Sequence, residues 1–533
     1  MLKSLLIAVV VFSSLPITLF RVHIGVLTWS WLGYMNPHRL TYGFAYSFPW
    51  SQLVALATLI GLLFSKEPKR FPLNAVSIVW ILLLLWFVVT TIFALYPDDA
   101  QEQLSKIIKI QLITFITVLV MTSRERVDLL IWVIVLSLGY YTVKGGVFTV
   151  MTGGSFRVWG PSGSFIEDNN HLACATLMLL PLMRYLMTIT SNRWIRRALL
   201  FSILSSAASA AGSHSRGALL AGLCMSLFLL MKSKQKLRVG VALLIFLPAL
   251  GVFMPRHYWE RMATIFQEDE ETGQREGSAQ GRLDVWQLTF YLANDRLLGG
   301  GLNIWGHQEL AERYPPEGDE IRAAHSIYFA VLGEHGWVGL GLFLLLWFNT
   351  WRMCNWIIRQ ARGIEELAWA DSLARNIQIS LVAYGSGGAF LSLAYFDLPY
   401  HLMAIVVIAQ DLVRRHVEAL SHASTGAPRH QSTAAPVAEP VPAAQRGEPR
   451  LTDPRPSRRH PSLGRGGERP TRPPQPTGAS RPTPGEAAAA SQPGGQPPAA
   501  PRRSPATGEA FSSQRRFQGS GLMGRKPQSD KSS

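Results

Sequence analysis

The chain is written as long apolar runs separated by short polar breaks. Twelve runs are long enough, or nearly so, to cross a hydrocarbon layer that takes about 20 residues of helix. They are residues 5–20, 50–64, 74–95, 107–122, 127–148, 172–190, 195–211, 217–231, 239–254, 325–350, 377–396 and 399–413. The pattern predicts an all-α membrane protein of about twelve transmembrane helices, occupying residues 1–416. A thirteenth apolar stretch, residues 24–35, is only about a dozen residues long. Its Trp29, Trp31 and Tyr34 suit the headgroup level, so it is expected to be interfacial or re-entrant.

The polar breaks alternate in charge. Lys66–Arg70, Arg124–Arg126, Arg193–Arg197, Lys232–Arg238 and Arg352–Arg375 are rich in Lys and Arg, whereas the breaks between them are not. The positive-inside rule puts the rich set in the cytoplasm and, with Lys3 also inside, orients every expected span. Residues 255–324 then form one large loop on the outer, periplasmic side. Within it Trp259, Met262, Ile265 and Phe266 recur at helical spacing, so residues 258–266 suit a membrane surface. The acidic run Glu268–Glu271 and Gly273 make an exposed turn. Ser278 is placed to cap a helix reaching Asn294, with Leu283, Trp286 and Phe290 on one face and Gly299–Gly301 ending it.

Composition supports the same class. Hydrophobic residues make up 48% of the 533 and charged ones 16%, against roughly 25% charged in ordinary globular chains. The net charge of +16 is topological: residues 417–533 carry 17 Lys and Arg against 8 Asp and Glu, and most of the rest flanks spans. No nucleic-acid partner is expected. That segment is rich in Pro, Ala and Arg and too poor in apolar residues to offset chain entropy, so it reads as a disordered cytoplasmic tail. Cys174, Cys224 and Cys354 have no metal-ligand spacing. The first run lacks a small-x-small cleavage site and reads as an uncleaved span.

Signatures of soluble enzymes are missing: there is no P-loop, no HExxH and no CxxC pair. Polar residues gather instead at the outer ends of spans. His214-Ser-Arg216-Gly217 opens one span, and Asp168-Asn169-Asn170-His171 precedes another. The large loop holds Gly281-Arg282-Leu-Asp-Val-Trp286 and then Asp295-Arg-Leu-Leu-Gly-Gly-Gly-Leu302. Ala324-His325-Ser326 leads into Glu334-His-Gly336-Trp-Val-Gly339. Each feature has a plain structural reading. Arg216 suits snorkelling to headgroups, Arg282 a surface cation–π pair with Trp286, and residues 168–171 a helix cap. Arg157, Arg256, Arg261, Arg313 and Arg322 are spare cations on the same face.

In their order and facing, these motifs resemble the O-antigen ligase and polysaccharide polymerase family of bacterial inner-membrane glycosyltransferases. The resemblance covers residues 74–413 and is nearest to putative O-glycosylation ligases of the exosortase A-associated type, where the stretch 21–50, including Tyr34-Met-Asn-Pro-His-Arg39, is also similar. Ser326 departs from the Asn that many ligases carry. The resemblance implies transfer of a glycan from an undecaprenyl-diphosphate carrier to an acceptor hydroxyl on protein or glycan, at the periplasmic face, without metal or other cofactor. A diphosphate leaving group develops negative charge, which arginine's bidentate fork is suited to hold. Arg216 and Arg282 are therefore the expected clamps and His325 the expected base. Glu334, Asn169, Asn170 and His171 are expected beside the substrate, and Glu334 also suits bracing His325 or an arginine through a bend. A polymerase would use the same donor chemistry. A transporter would instead place ionisable groups near mid-membrane.

Overall fold

The computed structural model describes residues 2–233, 235–263, 277–314 and 323–426. In chain order its α-helices are α1 (Leu2–Phe20), α2 (Val22–Met35), α3 (Phe44–Ser47), α4 (Trp50–Phe64), α5 (Ala75–Ile92), α6 (Pro97–Val120), α7 (Arg124–Met151), α8 (Asn169–Ile189), α9 (Arg193–Gly212), α10 (Arg216–Lys232), α11 (Lys236–Phe253), α12 (Arg256–Ala263), α13 (Gly277–Asp295), α14 (Gln308–Arg313), α15 (Ile327–Gln360), α16 (Ala368–Gly388) and α17 (Asp397–Gly426). Each of the twelve long apolar runs contains a helix, though the run 377–396 is helical only as far as Gly388. Seven of them (α1, α5, α6, α7, α8, α11 and α15) are long and apolar enough to cross a membrane by length and composition. The others fall short for visible reasons. The helix α4 has 15 residues and α10 has 17, α9 opens on Arg193, Arg196 and Arg197, and α16 and α17 turn Asn376, Gln378 and His401 into the bundle.

Polar residues in the breaks start the helices by taking their free N–H groups. Asn74 and Ser77 form a capping box on α5, and Ser123 caps α7. Asp168 caps α8, Asn192 caps α9 and Ser215 caps α10. The interior lies around α8, α16 and α17: residues 172–183 of α8 and 400–409 of α17 are all buried. By contrast, no residue of α11 is buried.

The breaks sort to two ends of the bundle. Arg126 holds Glu67 through both guanidinium nitrogens, at 2.6 and 2.9 Å. Arg124 lies over the Trp369 ring, and Thr188 meets Ser372 at 2.9 Å, so the Lys/Arg-rich breaks share one end. At the other end Asn169 bonds the Ser213 carbonyl, His214 the Gly154 carbonyl, and Leu95 N–H the Gly300 carbonyl.

Residues 24–35 correct the expectation of a surface-lying piece. As part of α2 they are packed inside, against α1, α4 and α7, and Tyr34 is buried with its hydroxyl 2.8 Å from His401 Nδ1. The start of α2 lies with the basic end, because His23 feels the charges of Arg126 and Glu67. Its far end lies with the candidate motifs, where Arg39 comes within 3.4 Å of a Cβ built on Gly163. Since α1 turns into α2 at Arg21, α1 runs the opposite way and Lys3 belongs to the candidate-site end. The expected placing of Lys3 fails, while Arg21 joins the basic end. A 14-residue helix, roughly 21 Å long at 1.5 Å per residue, gives too short a hydropathy signal to reveal this.

Two smaller expectations also shift. The interior stripe of α13 is Val285, Leu288, Thr289 and Leu292, whereas Leu283 and Phe290 are exposed. In α12, Tyr258 and Met262 pack beneath Ala211, Leu219 and Leu250, with Trp259 exposed. Residues 264–276, including the acidic run and Gly273, lie outside the described residues, as does Arg322. The helix α17 continues to Gly426, through the boundary expected at residue 417. Residues 427–533 of the expected tail lie outside the described residues.

Candidate active site

His325 sits in the three-residue approach to α15 with its backbone in the left-handed region, φ 44°. A non-glycine residue there pays a conformational cost that its surroundings must offset. Part of that support is visible. The Trp286 indole donates to the Ala324 carbonyl at 2.7 Å and stacks face to face on Phe329, with centroids 4.7 Å apart. The ring of α13 thus pins the chain on both sides of His325. Ser326, by contrast, makes no side-chain cap bond to α15.

Arg282 lies one turn before Trp286 on α13, within electrostatic reach of His325. Burial, and after it the positive charges of Arg282 and His171, hold the His325 imidazole below its ordinary pKa, with Asp168 opposing them. A half-buried imidazole so placed is neutral at pH 7 and free to accept a proton. His171 and Asp168 belong to the start of α8, so this helix reaches the same spot.

Arg216 is the first residue of α10. The loop before it is tied to α8 by Asn169, whose Nδ2 donates to the Ser213 carbonyl at 2.7 Å. Its neighbour Gly217 abuts Phe390, which in turn lies 6.4 Å, centroid to centroid, from Trp286. The starts of α8, α10 and α15 and the middle of α13 therefore converge. His214, two residues before Arg216, is the second left-handed histidine (φ 55°). It is buried, bonded to Gly154 at 2.8 Å and edge-on to Tyr258 of α12. Asn170 turns back on its own cap, its amide donating to Asp168 Oδ1 at 2.8 Å.

Glu334 is not brought to His325. Its Oε1 accepts the Asn303 N–H at 3.1 Å and the Trp305 indole N–H at 2.8 Å, and its Oε2 accepts the Tyr395 hydroxyl. No bend lies between the two: the break in α15 comes after Glu334. Gly336 breaks α15 with φ 66° and ψ −171°, and a Cβ there would lie 2.1 Å from the Leu297 carbonyl oxygen. The break opens a seat for the loop after α13: Gly300 N–H bonds the Gly333 carbonyl, and Gly301 N–H the Glu334 carbonyl. The freed His335 carbonyl takes the Trp86 indole at 2.9 Å.

Sequence reasoning missed the residues that complete this second cluster. His335 is fully buried, with Nδ1 2.6 Å from Thr90 Oγ1 and Nε2 2.9 Å from the Tyr395 hydroxyl. The pair Tyr34 and His401 was missed in the same way. His335 lies in the motif Glu334-His-Gly336, but nothing in spacing links it to Thr90 or Tyr395. Among the described residues no group of three or more His, Cys, Asp or Glu is arranged to hold a metal.

The fold is thus that of a multi-pass helical membrane protein whose polar motifs converge at one end. Residues 198–344 match the family model described as O-Antigen ligase, which supports that family and spans Arg216, Arg282, His325, Glu334 and Gly336. Residues 1–191, with α2 and the start of α8, match a family of unknown function. No curated protein matches the chain.

Proposed function

We propose that the protein is a membrane glycosyltransferase of the O-antigen ligase type, acting at the periplasmic face of a bacterial inner membrane. It transfers a glycan from an undecaprenyl-diphosphate carrier to an acceptor hydroxyl. The observation that carries this reading is the half-buried His325, held in a left-handed turn beside Arg282. In this reading Arg282 and Arg216 bind the diphosphate oxygens and stabilise the charge that develops as the glycosidic bond to phosphate breaks. His325 takes the proton from the acceptor hydroxyl as that oxygen attacks the sugar carbon. His171, beside it, and Asn169, holding the loop before Arg216, border the same place. Polymerisation would use the same groups with a growing chain as acceptor.

The test uses the purified full chain in nanodiscs with a polyprenyl-diphosphate-linked glycan and candidate acceptors, following single-turnover transfer. Transfer lost in His325→Ala with donor binding retained supports the reading. Wild-type protein that binds the donor yet neither transfers nor hydrolyses it overturns it.

A further inference from the structure

The buried chain Thr90–His335–Tyr395–Glu334 serves no step of that mechanism, and an acidic group inside a span asks for an account. The Tyr395 hydroxyl donates to Glu334, so its oxygen must accept from His335 Nε2–H, 2.9 Å away. That leaves His335 Nδ1 as an acceptor for the Thr90 hydroxyl at 2.6 Å. Four side chains from α5, α15 and the segment before α17 are thereby locked in one orientation.

Through Glu334 the same chain holds the loop after α13. Both carboxylate oxygens are occupied, Oε1 by Asn303 and Trp305 and Oε2 by Tyr395. The stretch of α15 between Ile327 and the break is short, and Glu334 lies roughly 10 Å beyond Ile327 along it. Its two ends are Trp286's hold at Ala324 and this clamp at Glu334.

We infer that Glu334 is a positioning residue: with Tyr395 and His335 it clamps the loop 299–305 to the broken helix, fixing the stretch that presents His325, and it does not touch the substrate. The inference rests on the glycan-transfer reading for its kinetic consequence only. It separates two roles that the residue type alone leaves equal. A carboxylate acting by its charge fails when replaced by Gln. A clamp tolerates it, because Gln Oε1 still accepts from Asn303 and Trp305 while its amide donates to Tyr395. The Tyr395 hydroxyl then donates to His335 Nε2, the other tautomer donates Nδ1–H to Thr90, and the Thr90 hydroxyl turns to the Phe87 carbonyl, already 3.1 Å away. The chain runs in reverse with every group still paired.

The experiment compares Glu334→Gln, Tyr395→Phe and Thr90→Val with wild type, as full chains in nanodiscs. Hydrogen exchange is read on the amides of residues 300–303, and transfer is measured alongside it. Glu334→Gln is expected to keep wild-type protection there and kcat within about threefold. Tyr395→Phe strands Glu334 and His335, so exchange at 300–303 should rise about tenfold or more and kcat fall about tenfold, with donor KM within about twofold. Thr90→Val, which keeps the shape of Thr90, should move both readouts the same way and stands in if Tyr395→Phe does not fold. Glu334→Gln inactive with the loop still protected overturns the inference, as does wild-type exchange in both Tyr395→Phe and Thr90→Val. Wild-type protein without transfer removes the glycan-transfer reading alone, since the exchange arm still judges the clamp.

Discussion

The Trp286 indole nitrogen lies 2.7 Å from the carbonyl oxygen of Ala324, the residue immediately before His325. One hydrogen bond thus connects the helix that carries Arg282 to the turn that carries the proposed base. Trp286→Phe keeps a ring to stack on Phe329 but removes the donor. A bond of this kind contributes about 0.5–1.5 kcal/mol. Transfer should therefore fall about two- to twelvefold, with donor affinity nearly unchanged; single-turnover kinetics with a separate binding isotherm check it.

The two arginines should respond to lysine and the histidine to alanine in different ways. Arg216→Lys and Arg282→Lys keep the charge but lose the fork, so both donor affinity and transfer should drop. His325→Ala should lower transfer by about 10²–10⁴-fold while the donor still binds. Full activity in Arg216→Lys would assign that residue to headgroup contact.

The lowered pKa of His325 sets a pH dependence. Burial and Arg282 disfavour the imidazolium in the folded protein, so the base stays neutral below the ordinary histidine range near ~6.5. The acid limb of transfer against pH should fall below that value, and Arg282→Gln should move it upward by removing a cation. Stability carries the same sign. The unfolded state binds this proton first as pH falls, so the contribution of His325 is complete above the unfolded pKa and is lost toward the folded one. Urea unfolding from pH 7.5 to 5 measures it.

Gly336→Ala should be among the most damaging small substitutions. The residue adopts φ 66°, and the added Cβ would lie 2.1 Å from the Leu297 carbonyl oxygen. A destabilisation of about 2 kcal/mol or more is expected from backbone strain and displacement of the loop. Gly341→Ala on the same helix, where a Cβ meets nothing within 4 Å, should be nearly neutral. Thermal unfolding in detergent compares them.

Reporter fusions test the direction of α1 and α2. Insertions between Arg39 and Gly43 should report the same side as insertions at Gly306, and insertions at Lys66 or Gly363 the opposite side. A reporter at residue 40 on the side of Lys66 would undo the antiparallel arrangement.

How much of this was legible beforehand follows from the range of each signal. The twelve runs and their caps are local patterns, and helices formed where they stood. The site motifs are also local, and Arg282, His325 and the start of α8 do meet. What stayed hidden depends on contacts distant in sequence. The 14-residue α2 is held by Tyr34 reaching His401, 367 positions away. Glu334 was placed beside the substrate by its motif, and nothing local links it to Tyr395, 61 positions later. The exposed Leu283 shows the limit of helical periodicity when the partner surface is unknown.

The clamp on the broken helix also bears on the order in which the molecule is built. Glu334 waits for a tyrosine 61 positions later in the chain, so ribosomal synthesis delivers every proposed chemical group before the part that steadies them. Residues 299–305 can be seated on Gly333 and Glu334 early, yet Glu334 gains its last donor only when α16 has been made and Tyr395 arrives. A nascent chain halted before α16 would hold Arg216, Arg282 and His325 without the clamp on their scaffold, and so would be impaired in the proposed transfer until Tyr395 arrives.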